Sequence, residues 1–147
     1  MNLKTNISYK IEKTIWNNTL LSNKASTAYQ HSDFFYPYQL AFNSLPVFVT
    51  VTDESDKILG QLSCIIHKNE YWIESNFISK FFNATLNLGY ILNWFHGPII
   101  HNSENSDEIL SNILHAVDKI AIENNVNLIS GSYTHQQPIS IKVINQE

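Results

Sequence analysis

The sequence predicts an α/β (α+β) domain whose mixed sheet is mostly antiparallel, with one parallel strand–helix–strand unit near the C-terminus. Three observations carry this. Leu45–Thr52 and residues 58–67 are β-rich runs separated by the polar turn Asp53-Glu54-Ser55-Asp56-Lys57, which reads as an antiparallel hairpin. Tyr90-Ile91-Leu92-Asn93-Trp94-Phe95 is short and bulky, as in a strand buried on both faces. Between it and the apolar run 126–133 lies a helical stripe of Ile109, Leu110, Ile113, Leu114, Val117, Ile120 and Ala121. A crossover of that kind pairs its two flanking strands in parallel.

The remaining elements follow in order. Residues 8–16 alternate loosely through Tyr9, Ile11 and Ile15 and predict a first strand, with a polar loop or helical turn over 17–27. Phe34, Phe35, Tyr38, Ala41 and Phe42 fall at helical spacing. Ser32 is the expected N-cap, and Pro37 places the regular helix near Tyr36 with the proline in its first turn. In the second arm of the hairpin Leu62, Cys64 and Ile66 alternate with Gln61, Ser63 and Ile65, which predicts one well-buried face. Lys68-Asn69-Glu70 is a turn, residues 71–77 a third antiparallel strand, and residues 79–87 suit a short helix or a loop. His96-Gly97-Pro98 breaks the central strand, since proline donates no ladder bond. Asn105 and Glu108 have capping-box spacing at the start of the long helix. Pro138 and the polar tail add no further core element.

A length of 147 residues fits a single domain, 1–147. The net charge is −4 and the cations are scattered singly, which argues against a nucleic-acid footprint and so against DNA as a partner. No apolar run reaches the length of a membrane span, and the polar N-terminus lacks a signal-peptide core, so the expected location is cytoplasmic. Cys64 is the one cysteine and lies in an apolar strand, which points to a buried structural thiol. None of the six histidines forms a helical His-x-x-x-His pair, so no metal site is expected.

The residues that could carry chemistry sit at two places. His96, with Gly97 and Pro98, lies at a strand end, where open sheets place ligands; a structural histidine bonded to loop carbonyls is the alternative. Tyr29 and Gln30 lie at the entrance of the aromatic helix and could touch a ligand or serve capping and packing.

The element order, with Tyr29-Gln30 before the aromatic helix, Ile58-Leu59-Gly60 in the hairpin and His96-Gly97-Pro98-Ile99 after the central strand, resembles the front part of a GNAT-like acyltransferase domain over roughly residues 8–135. More narrowly, it resembles the Fem family of peptidoglycan-bridge aminoacyltransferases. In that family a Phe-Gln or Tyr-Gln opens the first helix, a glycine follows the hairpin turn and an Arg-Gly-Pro-like tripeptide ends the fourth strand; this chain has histidine in place of that arginine. The resemblance implies an acyl- or aminoacyltransferase-like domain with an acyl donor and an acceptor as small-molecule partners. It also implies Tyr29, Gln30, His96, Gly97 and Pro98 as substrate-binding positions. It covers only part of the family's architecture, so a complementing second domain or a homo-oligomer is expected to complete it. The loop His101-Asn102-Ser103-Glu104-Asn105 lacks the glycines of a pyrophosphate-binding turn. No cofactor is therefore expected for this chain alone, acyl-CoA or an aminoacyl donor being implied only by the resemblance. The rival reading is a non-catalytic binding or assembly module, with homodimerisation through sheet edges.

Overall fold

The computed structural model describes residues 2–69, 89–102 and 104–132. Within them the order is β1 (Lys4–Ser8), α1 (Lys13–Leu21), two 3₁₀ turns (Ala28–Gln30 and Ser32–Phe34) and α2 (Phe35–Phe42). These are followed by β2 (Leu45–Thr52), β3 (Ile58–Lys68), β4 (Tyr90–Trp94), β5 (Ile99–Ile100), α3 (Ser106–Glu123) and β6 (Val126–Gly131). The sheet runs β1-β2-β3-β4-β6, with β5 also on β3. Its hairpins are antiparallel and β4 pairs β6 in parallel, as the crossover requires. The expected strand at 71–77, the segment 79–87 and the C-terminal tail lie outside the described residues.

The first elements differ from expectation. The strand at the N-terminus is Lys4–Ser8, one element earlier than 8–16, and Lys13–Leu21 is a helix. Trp16 and Leu20, one helical turn apart, are both buried, so a period near four outweighs the loose alternation of Tyr9, Ile11 and Ile15. Glu12 starts α1 by accepting the Ile15 N–H at 2.6 Å. Ser32 caps nothing: it is buried in a 3₁₀ turn, where Asn17 of α1 accepts its N–H and donates to its hydroxyl. The α2 helix begins one residue before Tyr36 and holds Pro37 in its first turn. Asn105 precedes α3 but makes no side-chain cap, so the expected capping box does not close.

Both faces of β3 are buried, not one. On one face Leu62, Cys64 and Ile66 pack with Ile109, Ile113 and Ile120 of α3. On the other, Ile65 packs with Trp16, Leu20, Phe35 and Phe48 under α1 and α2. This is the three-layer arrangement in which each helix layer removes one sheet face from water. Gly60 lets α3 approach, since a Cβ there would lie 2.4 Å from Ile109 Cγ2. The central strand is narrower than expected: Leu92 and Trp94 are buried on the α3 side, while Ile91 and Asn93 are only half-buried. Cys64 is free and buried, and burial pushes its thiol pKa up.

The sheet has one structural break. Ile65 lies opposite Asn93 and Gln61 opposite Ile99, so five residues, 94–98, span what three residues, 62–64, span on β3. Extra residues on one side of a ladder make a bulge, which turns backbone groups out of the pairing plane. His96-Gly97-Pro98 therefore sits inside an interrupted strand, with β5 following, instead of leading straight into the helix. Next to the break, the Trp94 indole lies on Gly131 of β6, where a Cβ would come within 1.9 Å of the ring.

That contact gives a direct test. Gly131→Ala should destabilise the protein by about 1–3 kcal/mol through overpacking, read as a lower urea midpoint at unchanged slope. An unchanged midpoint would mean that Trp94 is not held against β6.

Candidate functional site

The interruption between β4 and β5 gathers the residues singled out in the sequence. Gln30 is 2% exposed. Its amide nitrogen donates to the Gly97 carbonyl at 3.1 Å, and its amide oxygen accepts the Thr27 N–H at 2.6 Å. The Trp16 indole N–H donates to the Gln30 carbonyl at 2.9 Å. Gln30 thus spends both ends of its side chain inside the protein, fixing the interrupted strand to the turn before α2. Gly97 and Pro98 are buried beside it.

Tyr29, the neighbour of Gln30, points the other way and is 45% exposed. Its ring stacks on His96 at 4.9 Å and 25°. Phe34, Tyr38 and Phe95 extend the aromatic surface, with ring centroids between 5.1 and 5.5 Å apart. His96 is half-buried, and its Nδ1 is shielded from solvent without a hydrogen-bond partner. All five expected positions therefore meet at one place. They divide physically: Gln30, Gly97 and Pro98 form the frame, while Tyr29 and His96 form its outer surface.

A second polar cluster escaped the sequence reading. Gln61 on β3 faces α1, where its amide nitrogen donates to the Trp16 carbonyl at 3.4 Å and its oxygen receives His101 Nε2 at 3.0 Å. Asn23 donates to the Ile100 carbonyl at 3.0 Å and lies 3.4 Å from His101 Nδ1. The Asn23 amide nitrogen can only donate and the Gln61 amide oxygen can only accept, so this pairing puts the ring proton of a neutral His101 on Nε2. Burial lowers the His101 pKa accordingly. The available signal was Gln61 itself, a polar residue in an otherwise apolar strand. The cluster borders a cleft of about 590 Å³ lined also by Asn18, Lys24 and Lys57. Among the described residues no three His, Cys, Asp or Glu side chains gather as a metal site would require, and no helix is long and apolar enough to cross a membrane.

No protein-family model matches this sequence, and no curated protein matches it. Solved structures do. A ribosomal-protein-alanine N-acetyltransferase from Brucella melitensis biovar Abortus 2308 superposes with a TM-score of 0.55 at 10% identity, over 99% of this chain and 90% of that one. A probable acetyltransferase gives 0.57 at 12% identity, over 100% and 90%. A transcriptional regulator from Bacillus halodurans C-125 gives 0.56 at 13% identity, over 97% and 91%. The fold is GNAT-like. At these identities the likeness is one of architecture.

A donor that carries a pyrophosphate, as an acyl-CoA does, would need backbone N–H groups free at a helix start. The residues here do not fit. Asn102 already accepts the Glu104 N–H at 3.0 Å. Asp107 and Glu108 occupy the first turn of α3, where they would repel phosphate. No glycine opens the loop.

Two measurements test this geometry. Gln30→Met keeps the volume but leaves the buried Gly97 carbonyl and Thr27 N–H unpaired, and should cost about 1–3 kcal/mol in urea unfolding. For His101, a folded pKa below the ordinary 6.5 means that the unfolded chain takes up its proton first. Stability is then full above pH 6.5 and falls as pH drops from there through the folded value. Urea midpoints at pH 7.5, 6.5 and 5.5 should show the fall in the wild type and a shallower one in His101→Gln. Equal slopes would remove His101 as the cause.

Proposed function

We propose that this chain is an N-acyltransferase-type domain of the acyl- or aminoacyltransferase lineage, Fem-like in its motifs, which receives its ligand at the break between β4 and β5. The observation that carries this reading is the break itself, set on a scaffold shared from end to end with acetyltransferases. Acyl transfer to an amine needs dipoles aimed at the developing oxyanion and a group to take the amine's proton. The backbone of residues 95–97 is released from the β3 ladder, and Gln30 holds it in place through Gly97. His96 is the proton acceptor and Tyr29 orients its ring by stacking. Gln30, Gly97 and Pro98 bind by shaping the backbone rather than by touching the ligand. The donor is an activated acyl ester or thioester whose recognition does not run through a phosphate cradle. The setting is the cytoplasm.

A second reading is a non-catalytic assembly module. It is supported by the closed seam between β4 and β6, where the Ser132 N–H donates to the Trp94 carbonyl and its hydroxyl to the Phe95 carbonyl. Leu128 and Ile129 are also exposed on β6, 51% and 40%, and β6 is the last strand of the sheet among the described residues, which suits pairing with a second copy there.

One assay separates the two. The chain is incubated with a short acyl N-acetylcysteamine thioester or with acetyl-coenzyme A, together with an amine-bearing peptide, and the products are followed by mass spectrometry. Transfer should be catalysed from both donors at similar rates, because no phosphate site distinguishes them, and His96→Ala should lower it by roughly 10²-fold. Absence of transfer from either donor, with a dimer in sedimentation, would replace the first reading by the second.

A further inference from the structure

The segment between α1 and the first 3₁₀ turn is tied to the end of β5 through the side-chain amide of Asn23. Both ends of that amide are engaged. Its nitrogen donates to the Ile100 carbonyl at 3.0 Å and faces His101 Nδ1 at 3.4 Å, while its oxygen accepts the Ala25 N–H at 2.9 Å. We propose that this contact is a proton-operated latch, which holds residues 22–26 on the sheet while His101 is neutral and releases them when its ring takes up a proton. Acyl transfer plays no part in it, so the proposal goes beyond the function above and stands or falls separately.

Backbone groups orient both amides that meet the ring. The Ile100 carbonyl can only accept and the Ala25 N–H can only donate, so the Asn23 amide turns its nitrogen toward His101. The Trp16 carbonyl can only accept, so the Gln61 amide presents its oxygen to His101 Nε2. A neutral ring satisfies both neighbours, donating from Nε2 and accepting on Nδ1. A second proton, on Nδ1, sets N–H against N–H. Turning the ring over does not help, because both nitrogens of an imidazolium donate. Turning the Asn23 amide over offers the ring an oxygen, but it sets the amide nitrogen against the Ala25 N–H and withdraws the donor from the Ile100 carbonyl. One partner has to leave.

The partner that leaves is Asn23. His101 is held from two sides, its backbone N–H donating to the Leu59 carbonyl at 2.7 Å and its ring bonded to Gln61 on β3. Asn23 lies outside regular structure, at the cleft of about 590 Å³ that the end of α1 shares with His101. The neighbours that α1 and β3 bring to the ring, Asn18, Thr19, Ser22 and Gln61, carry no charge. Of the charged residues, Lys24 and Lys57 line the same cleft and Glu104 follows on the ring's own loop. None of the three is paired with His101 among the described residues. Burial opposes the charged ring, so the latch opens as pH falls below 6.5 through the folded value.

The test uses the full chain, labelled with ¹³C and ¹⁵N, and follows the His101 ring and the Ala25 amide by NMR between pH 7.5 and 5.0. Corrected for intrinsic exchange, the protection of the Ala25 amide should fall about ten-fold or more, with the midpoint of the His101 titration. His101→Gln keeps a neutral amide that can donate to Gln61 and accept from Asn23, so protection should hold throughout. In Asn23→Asp one carboxylate can accept from both the imidazolium and the Ala25 N–H. The His101 midpoint should then rise and Ala25 should stay protected at low pH, opposite to the wild type. Four results would overturn the proposal: a wild-type ring that stays neutral until the chain unfolds, a protonated ring with Ala25 still protected, an equal loss in His101→Gln, or an unchanged midpoint in Asn23→Asp. Equal loss at the core amides of Leu62 and Ile113 would also overturn it, by showing general loosening. The transfer assay, run at pH 7.5, meets the latch closed, so neither experiment decides the other.

Discussion

The side chain of Gln30 holds this structure's least regular part in place. A strand interrupted between Asn93 and Ile99 has lost ladder pairing to β3 along its bulged residues, and unpaired backbone in a buried setting is costly. Gln30 supplies the missing partner to Gly97 while its own carbonyl is fixed by Trp16. The connection from α1 to α2 is therefore tied to the sheet at the place where the sheet is broken. Removing the clamp would loosen the break and, with it, the stack of Tyr29 on His96.

The second polar cluster secures the other end of the same segment. Gln61, His101 and Asn23 join β3, the end of β5 and the end of α1 through hydrogen bonds of 3.0 to 3.4 Å. Trp16 belongs to both sets, donating from its ring to Gln30 and accepting on its carbonyl from Gln61. One helix thus anchors both edges of the break. On the opposite face the sheet meets α3 mainly through apolar contact, with one Thr5–Asn112 hydrogen bond at β1, and Gly60 brings the two close. The polar side of the sheet is where geometry is specified, and the apolar side is where burial stabilises it.

Much of this was legible in the sequence because it depends on periodicity. The hairpin of β2 and β3, the stripe of α3 and the parallel partner β6 all follow from apolar spacing and a polar turn. The five positions that meet at the break also stand out in the sequence, as Tyr29-Gln30 and His96-Gly97-Pro98. What periodicity does not encode is which member of a motif faces the protein. Gln30 and Tyr29 are neighbours, yet one is buried and the other is exposed. The first helix was hidden because Trp16 and Leu20 are its two buried residues in nine, a stripe too sparse to stand out beside the alternation of Tyr9, Ile11 and Ile15. His101 was hidden because its partners lie 40 and 78 residues away.

The same geometry limits how a ligand could reach the break. Between β4 and β6 the seam stays zipped to its end: the Trp94 indole covers Gly131, and Ser132 bonds two carbonyls of the β4 strand and its extension. Along the loop before α3, acidic residues and a spent backbone N–H meet an incoming phosphate. The α1/α2 side is different. There Tyr29 is exposed beside His96, and the aromatic wall of Tyr38 and Phe95 borders an open groove. A donor with an extended anionic headgroup would have to displace packed core on one route and overcome like charge on the other. A compact ligand entering over Tyr29 meets neither obstacle, so approach over the aromatic face is the route this arrangement of residues favours.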